Sequence, residues 1–89
     1  MLIAKVVGHV VATKKDELLT GFKLLTICPM ESKGIYKNKV EVAIDAVGAG
    51  IGEEVLVVRG TAARLAVGSP DTPVDAAIVG IIDTIDINE

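Results

Sequence analysis

The chain has 89 residues, a formal net charge of −3 and a mean hydropathy of +0.55, and 51% of its residues are hydrophobic. This length predicts a single domain spanning residues 1–89. The acidic balance argues against nucleic acid as the main partner, and no apolar stretch reaches the roughly 20 residues that a membrane-spanning helix needs.

Alternating aliphatic residues predict two strands in the first third of the chain, because Val and Ile favour extended backbone. The first strand covers 2–13 and has aliphatic residues on both faces. One face is predicted to carry Leu2, Ala4, Val6, Val10 and Ala12. A polar connection at 14–19 leads to the second strand, at 21–28, which is predicted to stop at Pro29 because proline has no N–H to donate.

The rest of the chain contains three further strands and one helix. In chain order the predicted elements are a loop at 30–39, a third strand at 40–47, a glycine-rich turn at 48–52, a fourth strand at 54–59, a short helix at 60–66, a loop at 68–73 and a fifth strand at 77–87. Thr61 is the predicted N-cap of the helix. Five strands with one short helix between the fourth and fifth indicate a mainly all-β chain, a five-stranded OB-like antiparallel β-barrel.

The glycine cluster at 48–52 is the one stretch that suggests a phosphate-binding loop. The dinucleotide fingerprint is GxGxxG, placed after a strand and at the start of a helix. Here the third glycine, Gly52, comes one residue early, and Glu53, Glu54 and a strand follow it. Because two carboxylates would repel a phosphate, the cluster predicts a tight turn or a close backbone approach at an interface, and no cofactor site.

The titratable residues predict no catalytic or metal centre. Asp45, Asp83 and Asp86 are interpreted as turn, cap and surface carboxylates, because acid–base catalysis needs a carboxylate pair in a cleft. His9 is the only histidine, and one histidine cannot make a tetrahedral zinc site. Cys28 is the only cysteine and is interpreted as a small core residue. The sequence therefore predicts neither an enzyme nor a metalloprotein.

Arg64, one turn into the predicted helix, leaves two interpretations open. It is either a solvent-exposed charge or the cation of an ion pair between subunits, since a guanidinium group can pair bidentately with a carboxylate.

Several separate segments, in order along the chain, resemble one known family. Residues 43–53 read AIDAVGAGIGE and resemble its AVDAVGAGxGE segment, and residues 60–64 read GTAAR and resemble its GSSAR helix start. Residues 75–83 resemble its final strand, and 8–15 and 18–25 also fit. The chain thus resembles the EutN/CcmL group of bacterial microcompartment vertex proteins over nearly its whole length.

The resemblance implies a structural shell protein in the bacterial cytoplasm. Its barrels would form homopentamers that cap the vertices of a microcompartment shell built mainly from hexameric subunits. The high apolar content fits a chain that covers surface against copies of itself. By motif, the candidate subunit contacts are Val47, Gly48, Ala49, Gly50, Ile51, Gly52, Gly60, Thr61, Ala62, Ala63 and Arg64. Thr61 and Ala62 replace the family's usual serine pair, which removes a hydroxyl at position 62.

The alternative function is an OB-fold module that binds nucleic acid. Such modules combine a basic groove with aromatic side chains on which bases stack. This chain is acidic, and its only aromatic residues are Phe22 and Tyr36. These features favour the shell protein.

Overall fold

The computed structural model describes residues 1–13 and 15–88. Over that range it contains the strands β1 (Leu2–Val10), β2 (Lys23–Ser32), β3 (Ile35–Tyr36), β4 (Glu41–Asp45), β5 (Glu54–Arg59) and β6 (Ala76–Ile81). A 3-10 turn at Glu17–Leu19 precedes β2, and the helix α1 (Gly60–Ala66) connects β5 to β6. Two residues lie outside this range. They are Lys14, in the predicted connection at 14–19, and Glu89, at the end of the predicted domain.

Five of the strands close into a barrel. Their order is β1–β5–β6–β4–β2, and β2 pairs back with β1. Every neighbouring pair in the ring is antiparallel except β4–β6, which is parallel. The predicted five-stranded OB-like barrel is therefore confirmed, with a mixed rather than a wholly antiparallel ring. The additional strand β3 pairs with β2 alone and lies outside the ring.

Small aliphatic side chains fill the barrel. Its buried core consists of Ala4, Val6, Leu25, Ile27, Ala43, Ala49, Val55, Val57, Ala76 and Ile78. Alanine and valine supply much of this set, so the strands can close tightly around a narrow interior. On the outside, α1 places Ala63 against Val58 and Ala77 and so covers the outer face of β5 and β6. Neither this helix nor the 3-10 turn, in the part of the chain described, could span a membrane.

A bulge in β1 corrects the predicted face of this strand. The register with β2 shifts between Val6 and Gly8, and the strand ends at Val10 rather than at residue 13. One extra residue reverses the in–out alternation of everything that follows. His9 therefore lies opposite the buried Leu25, and the prediction that Val10 shares the face of Val6 is wrong.

Gly8 is required where β1 leaves this bulge. A Cβ atom at this position would lie 2.8 Å from Oγ1 of Thr26, its partner on β2. We expect Gly8→Ala to lower the free energy of unfolding by about 1–3 kcal/mol, the usual cost of overpacking. Urea unfolding of Gly8→Ala, Thr26→Ala and the double variant would test this. If the loss persists in full when Thr26 is also alanine, the contact with its hydroxyl is not the cause.

The second strand continues through Pro29, and the prediction that it stops there is wrong. One edge of β2 pairs with β4 as far as Ile27 and with β3 from Met30 onwards. Pro29 lies in the gap between these two partners, where its carbonyl accepts a hydrogen bond from the Lys37 amide at 2.8 Å. Since the missing N–H faces this gap, the proline costs the ladder no hydrogen bond.

Other boundaries also differ from the predictions. The loop at 30–39 contains the end of β2 and all of β3, β4 is shorter than 40–47, and β6 ends at Ile81 rather than at residue 87. The helix bounds are as predicted, but its N-cap is Arg59 rather than Thr61, because β5 runs directly into α1.

Candidate subunit interface

The glycine-rich turn is held by a buried carboxylate. Asp45, which is 8% exposed, accepts hydrogen bonds from the backbone amides of Val47 at 3.0 Å and Gly48 at 3.1 Å through Oδ1. Its Oδ2 accepts a third from the Ala49 amide at 3.0 Å. These bonds end β4 and fold the chain back over the barrel. Gly48, at φ +83°, takes a backbone conformation that other residues rarely adopt.

The second half of the turn is fixed to β1 and to its own glutamate. The Gly52 amide donates to the Val6 carbonyl at 2.8 Å, and the Val6 amide donates to the Glu53 carbonyl at 2.9 Å. The Gly50 amide donates to Oε1 of Glu53 at 2.6 Å. This anchoring leaves Ile51 66% exposed. We name Val47, Ile51 and Glu53 the turn patch.

The short helix presents a second surface. Ala63 is fully buried beneath α1, whereas Thr61 and Ala62 are exposed and Leu65 is 66% exposed. The half-buried Arg64 donates from Nη2 to Oγ1 of Thr61 at 3.1 Å. We name Thr61, Ala62, Arg64 and Leu65 the helix patch.

The two patches adjoin opposite ends of β5. The turn enters this six-residue strand at Glu54, and α1 leaves it at Arg59. A strand of that length spans roughly 20 Å. The motif-derived contact residues thus form two separate surfaces rather than one.

Nine of the eleven predicted contact residues are at least partly exposed, and two are not. Ala49 and Ala63 are buried inside the subunit, so their side chains fill the fold instead of reaching a neighbour. Leu65 and Glu53 were not among the predicted residues, but each lies directly beside a predicted segment and shares its patch.

A groove opens beside the turn patch. Its volume is about 480 Å³, and its lining includes His9, Val11, Lys15, Phe22, Lys23 and Ile51. Val11 is 80% exposed. The groove therefore continues the turn patch across the adjacent end of the barrel, with a lining that is partly apolar and partly basic.

A polar cluster fixes the β2–β3 hairpin on the outer surface. The Tyr36 hydroxyl on β3 donates to Oε2 of Glu54 on β5, and Nζ of Lys5 on β1 lies 5.5 Å from the centroid of the tyrosine ring. Burial, together with the hydrogen bond and the charge of Glu54, raises the pKa of Tyr36 to about 12. Because the ring is engaged within the subunit, it does not form an open stacking surface.

The other titratable residues of the described chain do not gather into a cluster. Asp83, Asp86 and His9 are exposed, and no group of three or more potential metal ligands occurs within residues 1–13 and 15–88. Cys28 alternates with the buried Ile27 and is only half-buried. It therefore lies on the outer face of β2, and its interpretation as a core residue is wrong.

An ion pair joins β4 and β5 across the barrel. Nη2 of Arg59 donates to Oε2 of Glu41 at 2.9 Å, and Nη1 donates to Oε1. The hydrogen bond from Arg59 holds the pKa of Glu41 below its ordinary value of 4.5. The side chains are 44% exposed for Arg59 and 25% for Glu41, so water and salt screen much of their attraction.

The Arg59–Glu41 pair predicts a small pH dependence of stability. The pKa of Glu41 is lower in the folded than in the unfolded protein. The ion pair therefore stabilises the fold at pH values above the unfolded-state pKa, and this stabilisation is lost as the pH falls through the folded-state pKa. We expect Glu41→Gln to unfold more easily than the wild type near neutral pH, by about 1 kcal/mol or less, and this difference to vanish in acid. Urea titrations from neutral to acid pH measure it. A difference that grows as the pH falls would contradict the sign.

Three comparisons place this geometry among known proteins. The family model described as "Ethanolamine utilisation protein EutN/carboxysome" matches residues 1–83. The carboxysome shell vertex protein CcmL of Synechocystis sp. is 52% identical over 98% of this chain and 87% of its own length. A solved EutN structure superposes with a TM-score of 0.92 at 39% identity, covering 98% of this chain and 91% of that one. The pentameric microcompartment shell protein GrpN from Rhodospirillum rubrum gives 0.88 at 42% identity, covering 98% and 100%.

Proposed function

We infer the function from the premise that the chain belongs to the EutN/CcmL family, whose named relatives are shell vertex proteins of carboxysomes and other microcompartments. The chain is accordingly a structural shell protein and not an enzyme. Its barrels associate into a homopentamer that caps a vertex of a microcompartment shell in the bacterial cytoplasm. The nucleic-acid alternative is set aside, because the relatives are shell proteins.

The observation that carries this proposal is the match to a pentameric shell protein over that protein's full length. The surface of the isolated subunit supports it. Val11, Ile51 and Leu65 leave large aliphatic areas in water, and a second copy of the chain would cover such areas. A closed ring also needs two different contact surfaces on each subunit, and the turn patch and helix patch are two such surfaces.

We expect the purified protein to have the mass of five 9.2 kDa chains in dilute solution. Multi-angle light scattering at several loading concentrations measures this directly. A mass of one, two or three chains at every concentration would contradict the vertex function.

The same proposal extends to the residues between neighbouring subunits and to the proteins around the pentamer. The nine exposed members of the predicted set, together with Leu65 and Glu53, would line the contacts between neighbouring subunits. The pentamer would in turn fit between hexameric shell subunits, because a flat hexagonal layer closes only where five-fold corners interrupt it. Co-expression with hexameric shell proteins tests this partner. Electron microscopy should show closed polyhedra with the protein and open sheets or tubes without it.

A further inference from the structure

The turn patch carries one carboxylate that has no cationic partner. Glu53 is half-buried, and none of the described residues, 1–13 and 15–88, supplies an oppositely charged group to it. Its Oε1 is held by the Gly50 amide at 2.6 Å, and Gly50 allows this approach because a Cβ there would come within 3.3 Å of the same oxygen. The side chain is thus already ordered, with Oε2 left to accept from another group.

The helix patch carries a positive charge that also has no oppositely charged partner among the described residues. Arg64 is half-buried, and within the described part of the chain the one hydrogen bond of its guanidinium group goes to the neutral hydroxyl of Thr61. A guanidinium group has five N–H donors in a planar fork. Most of these donors therefore remain for a partner outside the subunit.

Other carboxylates beside the barrel are already engaged. Glu41 is bound by Arg59, Glu54 accepts from Tyr36, and Asp45 holds the turn through three amides. Glu54 likewise keeps one oxygen without a hydrogen bond, but it lies beside the β2–β3 hairpin and not in the turn patch. Within the turn patch, Glu53 supplies a carboxylate with an ordered side chain and an oxygen to offer.

A heterologous ring brings the two charges together. In such a ring one surface of each subunit contacts the other surface of the next. The turn patch would then meet the helix patch of a neighbour, so that the exposed Ile51 and Leu65 exclude water around the charges. We propose that Glu53 of one copy and Arg64 of the next form an ion pair at every contact of the ring. This proposal depends on the pentamer proposed above.

A double-mutant cycle tests the contact. The variants are Glu53→Gln, Arg64→Gln and the combination of both, with native mass spectrometry of each over a dilution series. Glu53→Gln retains an amide oxygen for the Gly50 N–H, so it removes the charge while leaving an acceptor for the turn. We expect each single variant to raise the concentration at which half of the pentamer dissociates by about tenfold or more. The double variant should be little worse than either single one, because the second change has no partner left to lose.

Asp71→Asn, which neutralises an exposed carboxylate in the loop after α1, is the matched control and should leave the dissociation range unchanged. If the two single effects multiply in the double variant, or if neither exists, the ion pair is wrong although the wild-type protein remains pentameric. If the wild-type protein is not pentameric, both the ring and the pair are wrong. Far-ultraviolet circular dichroism of every variant verifies that the barrel is folded.

Discussion

Ile78→Ala is expected to lower the free energy of unfolding by about 2–5 kcal/mol, the range measured for removing a large aliphatic side chain from a packed core. Ile78 is fully buried at the centre of the barrel, where it lies opposite Val57 of β5 and Asp45 of β4. The ring is closed by backbone hydrogen bonds on every side, so the strands cannot move inward to fill the space. The loss is a large share of the 5–15 kcal/mol typical of a whole domain.

Two further variants serve as comparisons for the unfolding of Ile78→Ala. Ile78→Val removes one methylene from the same site and should cost about 0.5–1.5 kcal/mol. Ile35→Ala removes a side chain that is 56% exposed on the hairpin and should fall within about 0.5 kcal/mol of the wild type. Guanidinium unfolding should be followed at a fixed protein concentration, because assembly adds to the apparent stability. If Ile78→Ala is no more costly than Ile78→Val, the core is looser than the structure indicates.

Asp45→Ala is expected to cost about 2–4 kcal/mol, because it removes the acceptor of three backbone amides at once. Hydrogen bonds to charged groups contribute about 1.5–3 kcal/mol, and a buried donor left unpaired costs about 1–3 kcal/mol. Val47 and Gly48 are exposed, so water can replace the carboxylate at their amides, but Ala49 is buried. The loss therefore centres on one stranded N–H and on the disordering of the turn patch.

Asp45→Asn distinguishes the roles of the charge and of the shape. Its amide retains one acceptor oxygen, so its loss of stability should lie between that of the wild type and that of Asp45→Ala. Urea unfolding gives the stability, and light scattering gives the mass. Because Val47 and Ile51 lie on the turn that Asp45 holds, Asp45→Ala should also dissociate the pentamer at higher protein concentrations than the wild type. If Asp45→Ala is as stable as the wild type, the conformation of the turn does not depend on the Asp45 carboxylate.

The sequence predicted the bounds of the elements that are set by neighbouring residues along the chain. β5 occupies 54–59 and α1 occupies 60–66 as predicted, because glycines bound this stretch and the alternation within it is regular. The tight turn predicted for the glycine cluster was also a local feature, and the Glu53 carboxylate accepts a hydrogen bond from the Gly50 amide within it.

The features that were not predicted depend on contacts between distant segments. The bulge after Val6 appears only once β1 is paired with β2, and Pro29 remains in a strand because its bare nitrogen faces a gap between two partners. The parallel pairing of β4 with β6 arises from closure of the barrel. In the candidate interface, the motifs singled out two segments but could not separate side chains that point inward, such as Ala49 and Ala63, from their exposed neighbours.

Closure of the barrel also affects how copies of this protein can associate. Each of the five barrel strands has a partner on both sides, and in the described chain only the two-residue β3 keeps an unpaired edge. Free strand edges are the usual template for runaway strand addition and amyloid growth. In the described chain the unpaired edge of β3 is only two residues long, which is too short to recruit a long strand from another copy. Association of copies of this protein therefore depends on its turns, loops and helix and not on the addition of strands to the barrel.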